Sequence, residues 1–306
     1  MKSGVLVAAA LALTTACGPV TSDDSRPHVI ASFYPYAFVA ERIGGPLIHV
    51  ENLTSPGVEP HDVELRPKQV AHVYDADLVI YQRDFQAAVD DAVDLANRAA
   101  ENVVNVADDV HLLSESAAEE GADDHGHSHG DDAKGDPHLW LDPTLLIPVA
   151  KEVSSRLAAI DPDHADEYLR NADQLISDLT DLDTRFADGL AKCERDTIVT
   201  SHAAFSYLAE RYGLHQLSIA GLDPSSEPSG RQLAHITDEV RHHGITTVFT
   251  EELVDPSNAE TIATATGVRV AVLDPIEGLG PATANEDYLS LMTRNLNALR
   301  EANSCS

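Results

Sequence analysis

The sequence predicts an α/β chain of two lobes, each a parallel-type sheet flanked by helices, joined by one long helix. Three observations carry this. Within residues 28–160, short apolar runs of strand length alternate with stretches of helix length, the pattern of parallel strands with crossover helices. The same alternation returns in residues 193–306, with no sequence repeat between the two blocks. Between them, over 161–192, one apolar stripe at helical spacing runs on without an interior Gly or Pro as far as Asp188.

The first block opens with a strand at His28–Ser32 and a helix from Tyr36 to Ile43. A second strand spans Ile48–Leu53. Pro67 then takes the first position of a helix that runs to Tyr74, where its missing N–H costs nothing. Leu78–Tyr81 is a short buried strand, Phe85–Ala100 an amphipathic helix and Val103–Val106 a fourth strand. After a break, Pro143 to Ala159 reads as a helix. Asp161-Pro162 is an N-cap followed by Pro at the first helical position. From there Tyr168, Ala172, Leu175, Leu179, Leu182, Phe186 and Leu190 recur at spacings of three and four. That stripe gives a helix of roughly 28 residues, ~42 Å at ~1.5 Å per residue, long enough to brace two lobes.

The second block has strands at Thr197–Thr200, His215–Ile219, Thr246–Phe249 and Val268–Leu273. Helices follow them at Ala203–Tyr212, Arg231–His242, Asn258–Thr266 and Ala284–Glu301.

The chain has 306 residues, enough to bury a full core. Its 20 Lys and Arg stand against 51 Asp and Glu, a net charge of −31. Such a surface repels nucleic acid and anionic lipid headgroups and attracts cations. Lys2 precedes an apolar run from Gly4 to Leu13, and the small residue Ala16 stands before Cys17. Residues 1–16 read as a secretion signal. The placement of Cys17 resembles a bacterial lipoprotein box, although Thr14 stands where an aliphatic residue is usual. Cys17 would carry a diacylglyceryl anchor, and residues 17–27 would form a tether. The expected location is the outer face of the cytoplasmic membrane, with attachment through lipid only. The two remaining cysteines, Cys193 and Cys305, form a disulfide in such an exported chain rather than free thiols.

Within the N-terminal lobe, the stretch 115–135 has no hydrophobic period and cannot offset its ordering entropy. It carries His125, His127 and His129 among Asp and Gly. His-rich tracts bind transition metals, and this one reads as an auxiliary, low-affinity collector holding additional weak zinc.

Four candidate ligands stand out. His202 follows the strand ending at Thr200, and Asp274 follows the strand ending at Leu273. His61 lies past the second strand, and His138 lies in the segment DPHLWLDP, which holds the only Trp of the chain. Ligands of open parallel sheets bind beyond the carboxyl ends of strands. Two ligands come from each block, so the site falls between the lobes. Three imidazoles and a carboxylate suit Zn(II) in a closed shell of four. Glu251, also just past a strand, competes with Asp274 for the fourth position or supports another ligand. Trp140 is expected to pack in the core beside the site.

The segments GVEPHDVELRP (57–67), DPHLWLDP (136–143), TSHAAFSYLAERYGL (200–214) and LDPIEG (273–278), in this order, resemble the cluster A-I (cluster 9) metal-binding solute receptors of bacterial ABC importers. The resemblance spans about Val29 to Ala302. It implies a metal held between lobes by His61, His138, His202 and Asp274, with water in the fourth position in some members. It also implies delivery to a membrane permease and its ATPase by a monomer with no catalytic residues. His at the third position and the acidic His-rich loop resemble the zinc members, so one tight Zn(II) site is expected. Three readings compete. One is a manganese receptor of the same family, and another is a surface zinc buffer or cell-adhesion protein. The third is an exported zinc hydrolase with Glu251 or Glu64 as general base. The hydrolase needs an open coordination position, which four protein ligands deny it.

Overall fold

The computed structural model describes residues 25–108, 110–114 and 135–306. The signal segment, Cys17 and the loop residues His125, His127 and His129 lie outside the described residues.

Each half of the chain builds one four-stranded parallel sheet. The first contains β1 (His28–Ala31), β2 (His49–Asn52), β3 (Leu78–Tyr81) and β4 (Val103–Asn105), in the order β2-β1-β3-β4. Side chains alternate between the two faces of a strand. Val29, Ala31, Leu78 and Ile80 enter the main core. Ile30, Val79 and Tyr81 enter a separate cluster with Val73, Val89 and Val93. The last three belong to α2 (Pro67–Asp75) and α3 (Ala87–Ala96). Helix α1 (Tyr34–Gly44) packs with β1 and stops at Gly45, whose φ of 51° suits a residue without Cβ. Helix α3 is shorter than the sequence suggests, because Asn97 turns left-handed at φ 44° and ends it.

After α4 (Leu146–Ile160), the chain makes a 3-10 turn at Pro162–His164 and enters α5 (Ala165–Leu190). Helix α5 has 26 residues, and every member of the expected stripe from Tyr168 to Leu190 is buried. Asp161 does not cap it. Its Oδ2 accepts the Tyr168 hydroxyl at 2.7 Å and stands 2.7 Å from His164 Nδ1, so side chains one and two turns on claim the carboxylate. Helix α5 packs on α1 and α4 of the first half. From the second half it meets α6 (Ser206–Tyr212) and α9 (Tyr288–Asn303), so it joins the lobes.

The second sheet contains β5 (Thr197–Thr200), β6 (His215–Ser218), β7 (Thr247–Thr250) and β8 (Arg269–Val272), in the order β6-β5-β7-β8. Val199 and Val248 pack under α7 (Gly230–His242) and α8 (Ser257–Thr266) through Ile236, Val240 and Ile262. Helix α9 begins later than expected because Asp287 caps it, accepting the Ser290 N–H at 2.8 Å. A disulfide joins Cys193 to Cys305, and the Ser306 N–H donates to the Lys192 carbonyl at 2.9 Å beside it. Both sheets reverse strand order once, between β1 and β3 and between β5 and β7, which opens a crevice at their carboxyl edges. Among the described residues no helix is long and apolar enough to cross a membrane.

Candidate metal centre

The crevice collects four side chains. His61 comes from the loop between β2 and α2. Gln86 Nε2 donates to the Pro60 carbonyl at 3.2 Å, and the His61 N–H donates to Glu59 Oε1 at 3.0 Å, so both ends of the peptide group that leads into His61 are held. The ring stands edge-on to Phe85, with centroids 4.8 Å apart.

His138 sits in a tight Asp136-Pro137-His138 turn. Asp136 Oδ1 accepts both the His138 backbone N–H at 3.0 Å and the ring Nδ1–H at 2.7 Å. Both lobes hold this turn. Gln82 at the end of β3 donates to the Pro137 carbonyl at 2.8 Å, and Tyr207 of α6 donates to the Asp136 carbonyl at 2.8 Å.

His202 lies two residues past β5. Thr200 and Gln216 donate to its carbonyl at 2.8 and 3.0 Å. Glu251, the residue after β7, places both carboxylate oxygens 2.8 Å from His202 Nδ1 and accepts the His202 backbone N–H at 3.1 Å. In His138 and His202 the outer nitrogen therefore carries a proton, and Nε2 is the atom that faces the crevice. Carboxylates in this position orient a metal-binding imidazole and raise its basicity.

The fourth group is Glu277. Asp274 is the residue expected from the sequence, but the structure turns that carboxylate back on its own loop. Asp274 Oδ1 accepts the Ile276 N–H at 2.8 Å, an Asx turn of the kind Asp favours before Pro. Asn295 of α9 holds the Asp274 backbone from both sides, accepting its N–H at 2.9 Å and donating to its carbonyl at 2.6 Å. The indole N–H of Trp140 donates to the Pro275 carbonyl at 2.7 Å. Trp140 thus ties the His138 segment to the Glu277 turn as well as filling the core. Ile276 pays for the turn with φ 58°, a costly conformation for a β-branched residue. The result presents Glu277 to the three imidazoles. Glu251 faces the centre only through His202, and Glu64 is exposed to solvent.

One donor atom from each of His61, His138, His202 and Glu277 falls within 4.8 Å of the others. His138 Nε2 lies 3.3 Å from His61 Nε2 and 3.3 Å from His202 Nε2. Glu277 Oε1 lies 3.5, 3.4 and 3.5 Å from Nε2 of His61, His138 and His202. A tetrahedron with metal–ligand bonds of about 2.0–2.2 Å has edges of about 3.3–3.6 Å. The five separations fall in that range. Glu277 Oε1 is buried and makes no hydrogen bond, so the atom that faces three imidazole nitrogens stands beyond hydrogen-bond reach of each. That is the arrangement a cation completes.

The electrostatics agree. Burial alone would raise the Glu277 carboxyl, but the three imidazoles outweigh it and hold it well below the usual range. Burial lowers the His61 imidazole. For His202, burial is overcome by Glu251 and then Glu277, and the ring is held well above its ordinary value. His138 is raised likewise, with Asp136 as the main opposing charge. Asp274, by contrast, is pushed up to about 7 by burial, despite the Ile276 N–H.

Residues 29–302 match the family described as ZnuA, zinc-uptake complex component A, periplasmic. The chain is 34% identical over 304 residues to the zinc-binding lipoprotein AdcA of Streptococcus pneumoniae (strain ATCC BAA-255 / R6). That alignment takes in 98% of this chain and 60% of AdcA, so the chain spans about three fifths of that relative's length. It is 33% identical over 306 residues to the high-affinity zinc uptake system protein ZnuA of Bacillus subtilis (strain 168), covering 97% of this chain and 96% of that one. The fold matches the crystal structure of the Zn(II)-bound ZnuA-like domain of S. pneumoniae AdcA with a TM-score of 0.75 at 32% identity, over 91% of this chain and 99% of that domain.

Proposed function

Because the chain belongs to the zinc-uptake complex component A family, we propose that it is an extracytoplasmic receptor that captures Zn(II) between its lobes and delivers it to an ABC permease. The observation that carries this is the tetrahedral spacing of His61, His138, His202 and Glu277 around a carboxylate oxygen with no other partner. Three imidazoles favour zinc over manganese, which prefers oxygen ligands. Four protein donors close the shell and leave no position for an activated water, so the role is binding and release rather than hydrolysis. His61 is the ligand that solvent reaches, with 12% of its side chain exposed against 0–1% for the other three. The ion enters and leaves on that side.

The receptor acts as a monomer, anchored through Cys17 and served by a permease and its ATPase. The His-rich loop, with His125, His127 and His129, holds additional zinc weakly and speeds capture when zinc is scarce. Deleting Asp123–Asp132 and following zinc by competition separates this role from the tight site. A slower uptake with unchanged affinity supports it, and loss of the tight site overturns it.

Metal analysis of protein purified without chelator tests the main proposal. One zinc per chain is expected, and His61→Ala or His202→Ala should abolish it. Bound manganese, or full zinc occupancy in His202→Ala, would overturn the reading.

A further inference from the structure

The first sheet carries a second group of imidazoles at the end opposite the crevice. His28 opens β1 and His49 opens β2, and the two are register partners in the parallel pair. Register partners project to the same face, and Glu51, two residues beyond His49, joins them there. Helix α2 brings His72 onto that face. Glu51 Oε2 stands 2.6 Å from His72 Nδ1 and 3.5 Å from His28 Nε2. The His28 ring lies against those of His49 and His72, with centroids 5.4 and 5.7 Å apart. Two imidazoles from two elements thus share one Glu51 oxygen, His49 stacks on one of them, and none of the four belongs to the site between the lobes.

We propose that His28, Glu51 and His72, with His49 alongside, form a second and weaker site for a borderline divalent cation such as Zn(II). The donor chemistry is that of the tight site, imidazole with one carboxylate. As the side chains stand, one Glu51 oxygen serves both imidazoles, and the short contact to His72 holds a proton. An ion takes its place when the neutral ring carries that proton on Nε2 instead. The His72–Glu51 pair then separates by about 0.7 Å, and the His28 and His72 nitrogens, which unlike those of the crevice do not lie within 4.8 Å of each other, draw together to the spacing of two ligands on one zinc. Side chains that are 25–30% exposed have room for this adjustment. Burial lowers the His28 imidazole, which keeps its lone pair available at neutral pH. The backbone of His28 is already fixed, because its N–H donates to Asp77 Oδ2 at 2.7 Å.

The site is weaker for physical reasons. Its groups are partly solvated, so the ion gains less from each charge than in the buried crevice. Among the described residues no carboxylate beyond Glu51 orients the rings. Water completes the shell. The charge of the chain, −31, raises the local concentration of cations at such a surface.

The test uses the full-length chain with His125, His127 and His129 replaced by Ala, titrated with zinc by calorimetry and by chelator competition. Two steps are expected, the second weaker than the first by about a hundredfold or more. His28→Ala with His72→Ala should remove the second step and leave the first unchanged. Glu51→Gln, which keeps all three imidazoles, should weaken the second step and leave the first unchanged. A single step in the parent, or a second step that survives the double substitution, overturns the proposal. Loss of the first step in the parent would count against the tight site alone.

Discussion

Glu251→Gln separates what a buried carboxylate does for ligation from what it does for shape. Both Glu251 oxygens face His202 Nδ1 at 2.8 Å, and Oε1 also accepts the His202 backbone N–H. Glutamine keeps the shape and one carbonyl oxygen, so the ring keeps its place and its tautomer. The charge is lost, and with it much of the donor strength at Nε2. Removing an outer partner of this kind costs about 10–100-fold in metal affinity, or about 1.4–2.7 kcal/mol. Protons act in the opposite sense. Burial disfavours an imidazolium at position 202, but Glu251 and Glu277 hold its pKa well above the usual value. Zinc must therefore displace a proton there at neutral pH. Without Glu251 that pKa falls and the competition eases. The defect of the variant should be greatest in alkaline buffer, where the native ring is neutral, and should shrink as pH falls towards about 6. Competition with a chromophoric zinc chelator across this range reads both effects. A defect independent of pH, or native affinity at the alkaline end, would refute the reasoning.

Asp274→Asn retains the oxygen that accepts the Ile276 N–H and should leave zinc affinity nearly unchanged, while Glu277→Gln removes the charge at the focus and should cost at least the ~10–100-fold that loss of an outer partner costs, by the same competition. Zinc loading at neutral pH should release protons, because His138 and His202 are held above their ordinary values in the metal-free protein. Calorimetry in buffers of different ionisation enthalpy measures the number, and affinity should fall about tenfold per pH unit for each proton displaced. Tyr207→Phe leaves the Asp136 carbonyl without its donor and the Leu113 N–H without its acceptor, and should lower stability by about 1–3 kcal/mol in denaturant melts. Replacing Cys193 and Cys305 by Ser opens a loop of 112 residues and should destabilise the chain by up to about 4–5 kcal/mol, with zinc affinity unchanged.

The architecture was legible because it rests on local periodicity. Strand β3 spans the run Leu78–Tyr81, and the stripe from Tyr168 to Leu190 is the buried side of α5. Helix ends were less legible, since they depend on which groups a side chain finds. Asp161 serves Tyr168 instead of capping, and Asp287 caps where the apolar pattern already reads as helix. At the site, His61, His138 and His202 could be picked out from strand ends and their surrounding segments. Glu277 could not be chosen by that rule, because it lies three residues beyond Asp274. The Asp-Pro pair was the available sign that Asp274 makes the turn, leaving the next carboxylate to face the crevice. The groups that orient the ligands were hidden for another reason. Gln82 meets Pro137 across 55 positions, Tyr207 meets Asp136 across 71, and Glu251 meets His202 across 49. No local pattern announces pairs at such separations.

The most direct measurement is a crystal structure of the zinc-loaded chain with data collected at the zinc absorption edge. The anomalous peak should lie at the focus of His61, His138 and His202, with a Glu277 oxygen as the fourth ligand and all four bonds at about 2.0–2.2 Å. A peak bound by Asp274, or one with Glu277 turned away and water in its place, would contradict the closed shell of three imidazoles and one glutamate.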